Sequence, residues 1–167
     1  MSNPFFEPLT PTGIPAFDKI EFKHYGEAIN RGFAEHDREI AAIISCPEPP
    51  DFANTVEALE RSGALLRYVF NVFWNMASSD TTDELQALER EVEPRYAVHQ
   101  SRITSNPDLF KRIKTVVETG EALHAEQRQL LKKTYKAFVR SGAELHDDDR
   151  ARVNDINEKL ALKMTEF

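Results

Sequence analysis

Only one cysteine, Cys46, occurs in the 167 residues, so no internal disulfide can staple this chain, and a reducing compartment suits it. Long apolar runs are also missing. None approaches the roughly 20 residues that a membrane-spanning helix needs. Met1-Ser2-Asn3-Pro4-Phe5-Phe6 lacks a basic segment followed by an apolar signal core, and the expectation is a cytoplasmic protein. Positive charge is scarce as well: the formal net charge is −7. Phosphate binding needs a concentrated basic footprint, so the charge argues against nucleic acid as a partner. The short basic groups Lys111-Arg112 and Lys132-Lys133 sit among acidic neighbours and read as solvated helix faces. There is no glycine-rich phosphate cradle. No segment alternates with period two for long enough to make a strand, and no internal repeat stands out.

What remains is the composition of a folded helical protein. Hydrophobic residues at 41% and charged residues at 29% describe a globular chain, not a disordered one. A chain near this length suits one domain and buries roughly 70% of its unfolded surface. Residues 1–22 carry four of the nine prolines together with Phe5, Phe6, Leu9, Ile14, Phe17, Ile20 and Phe22. Proline fixes φ and removes a backbone donor, while so many apolar groups do not suit a free tail. An extended arm pinned across a surface is expected there, with a helical domain over residues 23–167.

From His24 to Ser45 the residues Ile29, Phe33, His36, Ile40, Ile43 and Ile44 recur at three and four, which predicts one helical stripe. Cys46-Pro47-Glu48-Pro49-Pro50 stops it. Asn54 with Glu57 has the spacing of a capping box. Val56, Leu59, Leu66 and Phe70 then fall near one face, interrupted at Ser62-Gly63. Thr81 with Glu84 predicts a second capping box after a loop at residues 78–81. The next stripe, Leu85, Leu88, Val92, Tyr96, His99 and Ile103, contains Pro94 and should kink near Arg90. Asn106-Pro107 opens a helix whose buried face is Leu109, Phe110, Ile113, Val116 and Val117, closed by Gly120. A helix from about Glu121 to Ser141 turns Leu123, Gln127, Leu130, Leu131, Tyr135, Phe138 and Val139 inward. Asp147-Asp148-Asp149 opens the last, with Val153, Ile156, Leu160, Met164 and Phe167 as its stripe. The fold class is all-α, an irregular multi-helix bundle with an extended proline-rich N-terminal arm. Phe167 continues the stripe with no stop signal after it, so the natural chain is expected to run on.

Side chains that could carry chemistry are few. None of His24, His36, His99, His124 and His146 opens a His-Glu-x-x-His, the helical arrangement that holds zinc and supplies a general base. Glu121 and His124 make one Glu-x-x-His, but a carboxylate-bridged site needs two copies and further inward glutamates. His36 and His99 lie on apolar faces, where a hydrogen-bonded core histidine is the commoner outcome. Cys46 reads as an ordinary thiol, and the Asp147–Asp149 triplet as helix initiation without a calcium loop. No catalytic, cofactor-binding or metal-ligating residue is assigned.

The string Phe52-x-Asn54-Thr55-x-x-Ala58-Leu59-Glu60-x-Ser62-Gly63-x-Leu65-Leu66 resembles the N-terminal region of a zinc metallopeptidase family, the one that contains peptidyl-dipeptidase, oligopeptidase A and thimet oligopeptidase. Helix physics does not require those letters in that order. The resemblance extends to Gly13-Ile14-Pro15-Ala16-Phe17-Asp18-Lys19-Ile20, to Leu123-x-x-Glu126-Gln127-x-x-Leu130-Leu131, to Arg140-Ser141-Gly142-Ala143 and to Arg152-x-x-x-Ile156-Asn157-x-x-Leu160. Asp83-Glu84-Leu85-Gln86 leans towards the peptidyl-dipeptidase branch. The resemblance implies a helical wall or lid over a deep channel for short peptides. It also implies a catalytic zinc domain carried by the same parent chain, so that zinc belongs to the parent and this piece is inactive alone. The alternative is a free-standing, non-catalytic helical interaction module.

Overall fold

The computed structural model describes residues 3–7, 13–120, 122–145 and 147–164. Met1, Ser2, Pro8, Leu9, Pro11, Glu121, His146 and Phe167 lie outside them. Helices make up most of the described residues and no strand occurs among them, so the all-α class holds. Six long helices carry the fold: α1 (Phe22–Ile44), α3 (Ala64–Ser79), α4 (Asp83–Thr104), α5 (Pro107–Thr119), α6 (Ala125–Arg140) and α7 (Asp147–Met164). A π-helical turn, Phe52–Glu57, leads into the one-turn α2 (Ala58–Arg61), and a 3₁₀ turn covers Pro4–Phe6. Backbone contacts divide the chain into two compact units, Met1–Glu39 with Ser62–Glu89 and Ile40–Arg61 with Arg90–Phe167.

The first unit is built on aromatic packing between α1 and α3. Tyr25, Ala28, Ile29 and Phe33 of α1 are buried, as are Leu66, Val69, Phe70, Val72 and Phe73 of α3. Phe33 meets Phe70 edge-on with ring centroids 6.0 Å apart, Tyr25 meets Phe73 at 5.5 Å, and Phe70 stacks on Trp74 at 4.7 Å. Such pairs add about 0.5–1.5 kcal/mol each beyond area burial. Gly32 allows the close approach: a Cβ there would lie 3.0 Å from the Leu66 Cα. The arm's Phe5 is buried against Tyr25 and Tyr68, at 5.3 and 5.6 Å. Asn3 caps its 3₁₀ turn and donates from Nδ2 to the His24 carbonyl and to Glu27. The Arg31 guanidinium covers the Phe6 ring at 4.1 Å.

In the second unit Ile40, Ile43, Ile103, Leu109, Phe110, Ile113 and Phe138 form one cluster, with Leu131, Tyr135 and Val139 packed on it. Phe52, Val56, Val116 and Leu123 form another. Asn106 caps α5 by accepting from the Leu109 N–H at 2.9 Å, with Pro107 in the first turn, as its sequence predicts. Gly120 and Gly142 follow α5 and α6 in left-handed conformation.

Several boundaries move. The cap before α2 is Asp51, not Asn54: Asp51 accepts from the Asn54 N–H at 2.7 Å, and Asn54 accepts in return from the Asp51 N–H at 3.1 Å. The earlier start brings Phe52 into its cluster. Thr82, not Thr81, accepts from the Leu85 N–H, and residues 78–79 belong to α3. Helix α4 runs on through Pro94, and the division between units falls at Glu89–Arg90, where the carbonyl four residues before Pro94 lacks its usual donor. Helix α6 starts at Ala125 instead of Glu121. Val117 is 42% exposed, one step past the buried face of α5. The expected single face of Val56, Leu59, Leu66 and Phe70 is split, since Gly63 at φ 68° ends one helix and starts the next.

Gly63→Ala tests that break. A Cβ at Gly63 would lie 2.8 Å from His36 Nδ1, in a backbone conformation that side chains disfavour. Urea unfolding should show a loss of about 2–3 kcal/mol, whereas an unchanged midpoint would mean that the turn is not constrained as described.

Candidate functional site

Polar side chains gather at two places. The first is the break between α2 and α3. His36 is buried on α1, with Nε2 3.2 Å from the Ser62 hydroxyl. Glu39, one turn on, accepts from the Gly63 N–H at 2.6 Å, and Arg67 donates to the Ser62 carbonyl at 2.6 Å. Burial pushes the His36 pKa below its ordinary value. Glu39 and Asp37 oppose that shift and Arg67 adds to it. A serine beside a histidine is the start of a nucleophilic pair, but both are buried, and this geometry ties α1 to the turn at Gly63 without offering a hydroxyl to a substrate.

The second place is the proline-rich turn after α1. Arg112 is 9% exposed, so its reading as part of a solvated face is overturned. It follows Leu109 by three residues and precedes Val116 by four, which sets it on the apolar stripe of α5. Its guanidinium donates to the Cys46 carbonyl and to Asn54 Oδ1, both at 2.9 Å. Asn54 also accepts from the Thr55 hydroxyl at 2.8 Å and donates to the Pro49 carbonyl at 2.9 Å. One arginine and one asparagine thus satisfy much of a turn in which three prolines supply no donor. The Cys46 thiol donates to the Glu48 carboxylate at 3.1 Å, and that bond holds the Glu48 pKa below the usual range.

The other described histidines are occupied by structure. His24 Nδ1 accepts from the Glu21 N–H at 2.9 Å at the start of α1. His124 is the N-cap of α6 in a reciprocal box with Gln127, so it precedes the helix instead of projecting from it. His99 is buried on α4, 3.4 Å from Arg102. Sequence reasoning missed these caps because histidine is not among the usual capping residues. Among the described residues no group of three or more His, Cys, Asp or Glu side chains could hold a metal ion. A shallow groove of about 380 Å³ beside α6 is lined by Ala125, Glu126, Gln129, Leu130 and Lys133, all from one helix. Exposed apolar side chains are more telling: Ile14, Phe17 and Phe22 stand near the start of α1, and Ile156 and Leu160 on α7.

No protein-family model matches the chain. Dipeptidyl carboxypeptidase of Salmonella typhimurium (strain LT2) is 36% identical over 169 residues, and that of Escherichia coli (strain K12) is 37% identical over 168. Each alignment takes in 99% of this chain. The chain is a homologue of dipeptidyl carboxypeptidase. A probable cytosolic oligopeptidase A of Arabidopsis thaliana matches at 26% identity over 99% of the chain, and a thimet-like oligopeptidase of Dictyostelium discoideum at 22% over 88%. The chain spans about a quarter of the length of the dipeptidyl carboxypeptidases it matches.

The buried His36 makes stability depend on pH. Its folded pKa lies below the unfolded value of about 6.5, so the unfolded chain binds the proton more readily. The contribution is complete above that unfolded value and is lost as pH falls from there towards the folded pKa. Urea midpoints between pH 7.5 and pH 5.5 should therefore fall more steeply for the wild type than for His36→Gln. Parallel slopes would show that His36 does not titrate in the buried state.

Proposed function

We propose that this chain is the helical, non-catalytic portion of a zinc metallopeptidase of the dipeptidyl carboxypeptidase kind, and that it forms part of the wall or lid of a channel that admits short peptides. The observation that carries the reading is the combination of 36–37% identity across 99% of the chain with a span of only a quarter of those peptidases' length. The zinc would be held elsewhere in the longer parent, because this sequence has no His-Glu-x-x-His. Its partner is then the catalytic zinc domain of the same parent chain. Ile14, Phe17 and Phe22, 57%, 43% and 42% exposed, support a docking surface for that partner at the arm.

Peptides are the substrates of the parent, and the relatives' names support that class. The charge of −7 argues against nucleic acid. No helix among the described residues is long and apolar enough to cross a membrane, and the Arabidopsis relative is named as cytosolic. A cytoplasmic location is the reading that these support.

The purified chain, supplied with zinc and a blocked peptide of five or so residues, should release no dipeptide and retain no zinc after gel filtration. Hydrolysis by the chain itself, with about one zinc bound per molecule, would contradict the assignment.

A further inference from the structure

We infer that the start of α1, with Tyr68 of α3, forms a peptide-binding site whose tethered ligand is the chain's own Asn3-Pro4-Phe5-Phe6, and that the site takes a separate peptide of the same chemistry once the tethered one is removed. That chemistry is an asparagine two residues before a pair of aromatic side chains. The reading side is a single stripe: His24, Glu27 and Arg31 stand at positions i, i+3 and i+7 of α1, with Tyr25 beside them. Asn3 is buried and donates from Nδ2 to the His24 carbonyl at 2.9 Å and to the Glu27 carboxylate at 3.1 Å. Phe5, also buried, lies against the rings of Tyr25 and Tyr68. Phe6 lies under the Arg31 guanidinium, which Glu35 holds from the next turn at 2.8 Å.

Two observations make the arm a ligand and not a piece of the core. Its turn is held from within: Asn3 Oδ1 accepts from the Phe5 N–H at 3.1 Å, the Asn3 carbonyl accepts from the Phe6 N–H at 2.9 Å, and Pro4 has no N–H to satisfy. A turn formed in this way presents its side chains already ordered, which lowers the cost of binding. The core behind it is built from other rings. Phe33 packs on Phe70, Phe70 on Phe73 and Phe73 on Tyr25, and Phe5 is added at the end of that series. A ligand on a short tether sits at an effective concentration on the order of 1 mM, so the arm holds its site even where the free segment binds weakly.

Fluorescence anisotropy with a labelled peptide of the sequence of residues 1–7 provides the test. The chain shortened to begin at Pro8 should bind it with a Kd between about 1 µM and about 100 µM. The full chain should bind it at least about tenfold more weakly, because its site is taken. Phe5→Ala in the peptide should weaken binding to the shortened chain at least about tenfold, and Asn3→Ala about threefold to tenfold. Arg31→Ala in the shortened chain should weaken it about twofold to fivefold. The full-length Phe5→Ala chain, whose arm is weakened in place, should bind the unaltered peptide more tightly than the wild-type chain does. Equal binding by full and shortened chains, binding indifferent to Phe5→Ala in the peptide, or no binding to either altered chain at about 1 mM would overturn the proposal. Loss of fold in both altered chains, read by far-ultraviolet circular dichroism, would overturn it as well, since a ligand can be removed and a core cannot.

Discussion

The left-handed turn at Gly63 is the constraint on which the arrangement of this chain depends. Without it, residues 52–79 would be one amphipathic helix with Val56, Leu59, Leu66 and Phe70 on a common face. With it, Phe52 and Val56 enter a cluster with Val116 and Leu123, while Leu66 and Phe70 pack on α1. The turn is held from outside the helix it interrupts. His36 fills the space that a side chain at position 63 would need, Glu39 takes the Gly63 N–H, and Arg67 takes the Ser62 carbonyl. Two polar contacts thus satisfy backbone groups that a helix interruption leaves open, and the buried imidazole both packs there and meets the Ser62 hydroxyl.

How much of this could be read from the letters depended on whether a signal was local. Asn106-Pro107 and Gly120 bound α5 as their residue types dictate, since a cap, a fixed φ and a positive φ are decided within a few residues. The starts of α2, α4 and α6 were not legible in that way. At each, more than one residue could cap, and what chose Asp51 was the burial of Phe52 in a cluster assembled from residues more than 50 positions away. Arg112 was misread for a related reason. Beside Lys111 it looks like half of a charged surface pair, and only the Cys46 carbonyl and Asn54, brought to it by the fold, explain a buried guanidinium. The stripe of α7 was legible as a pattern, but periodicity alone does not say whether a neighbour covers it, and Ile156 and Leu160 are open.

The functional reading has the same structure. No cluster of side chains in the described residues announces a reaction. His24 and His124 serve helix ends, His36 and His99 are buried in their units, and the acidic triplet begins α7. What identified the family was a set of strings that secondary-structure physics does not demand, and the relatives agree with it across almost the full chain. Within the described residues the aromatic core fixes α1 against α3, and the buried arginine fixes the proline-rich turn.

The central claim, that this chain shapes a peptidase without supplying its chemistry, is tested most directly by reading the coding sequence that flanks these 167 residues. The account predicts that the same open frame encodes a His-Glu-x-x-His on a helical segment. A frame that closes on either side without one would contradict it.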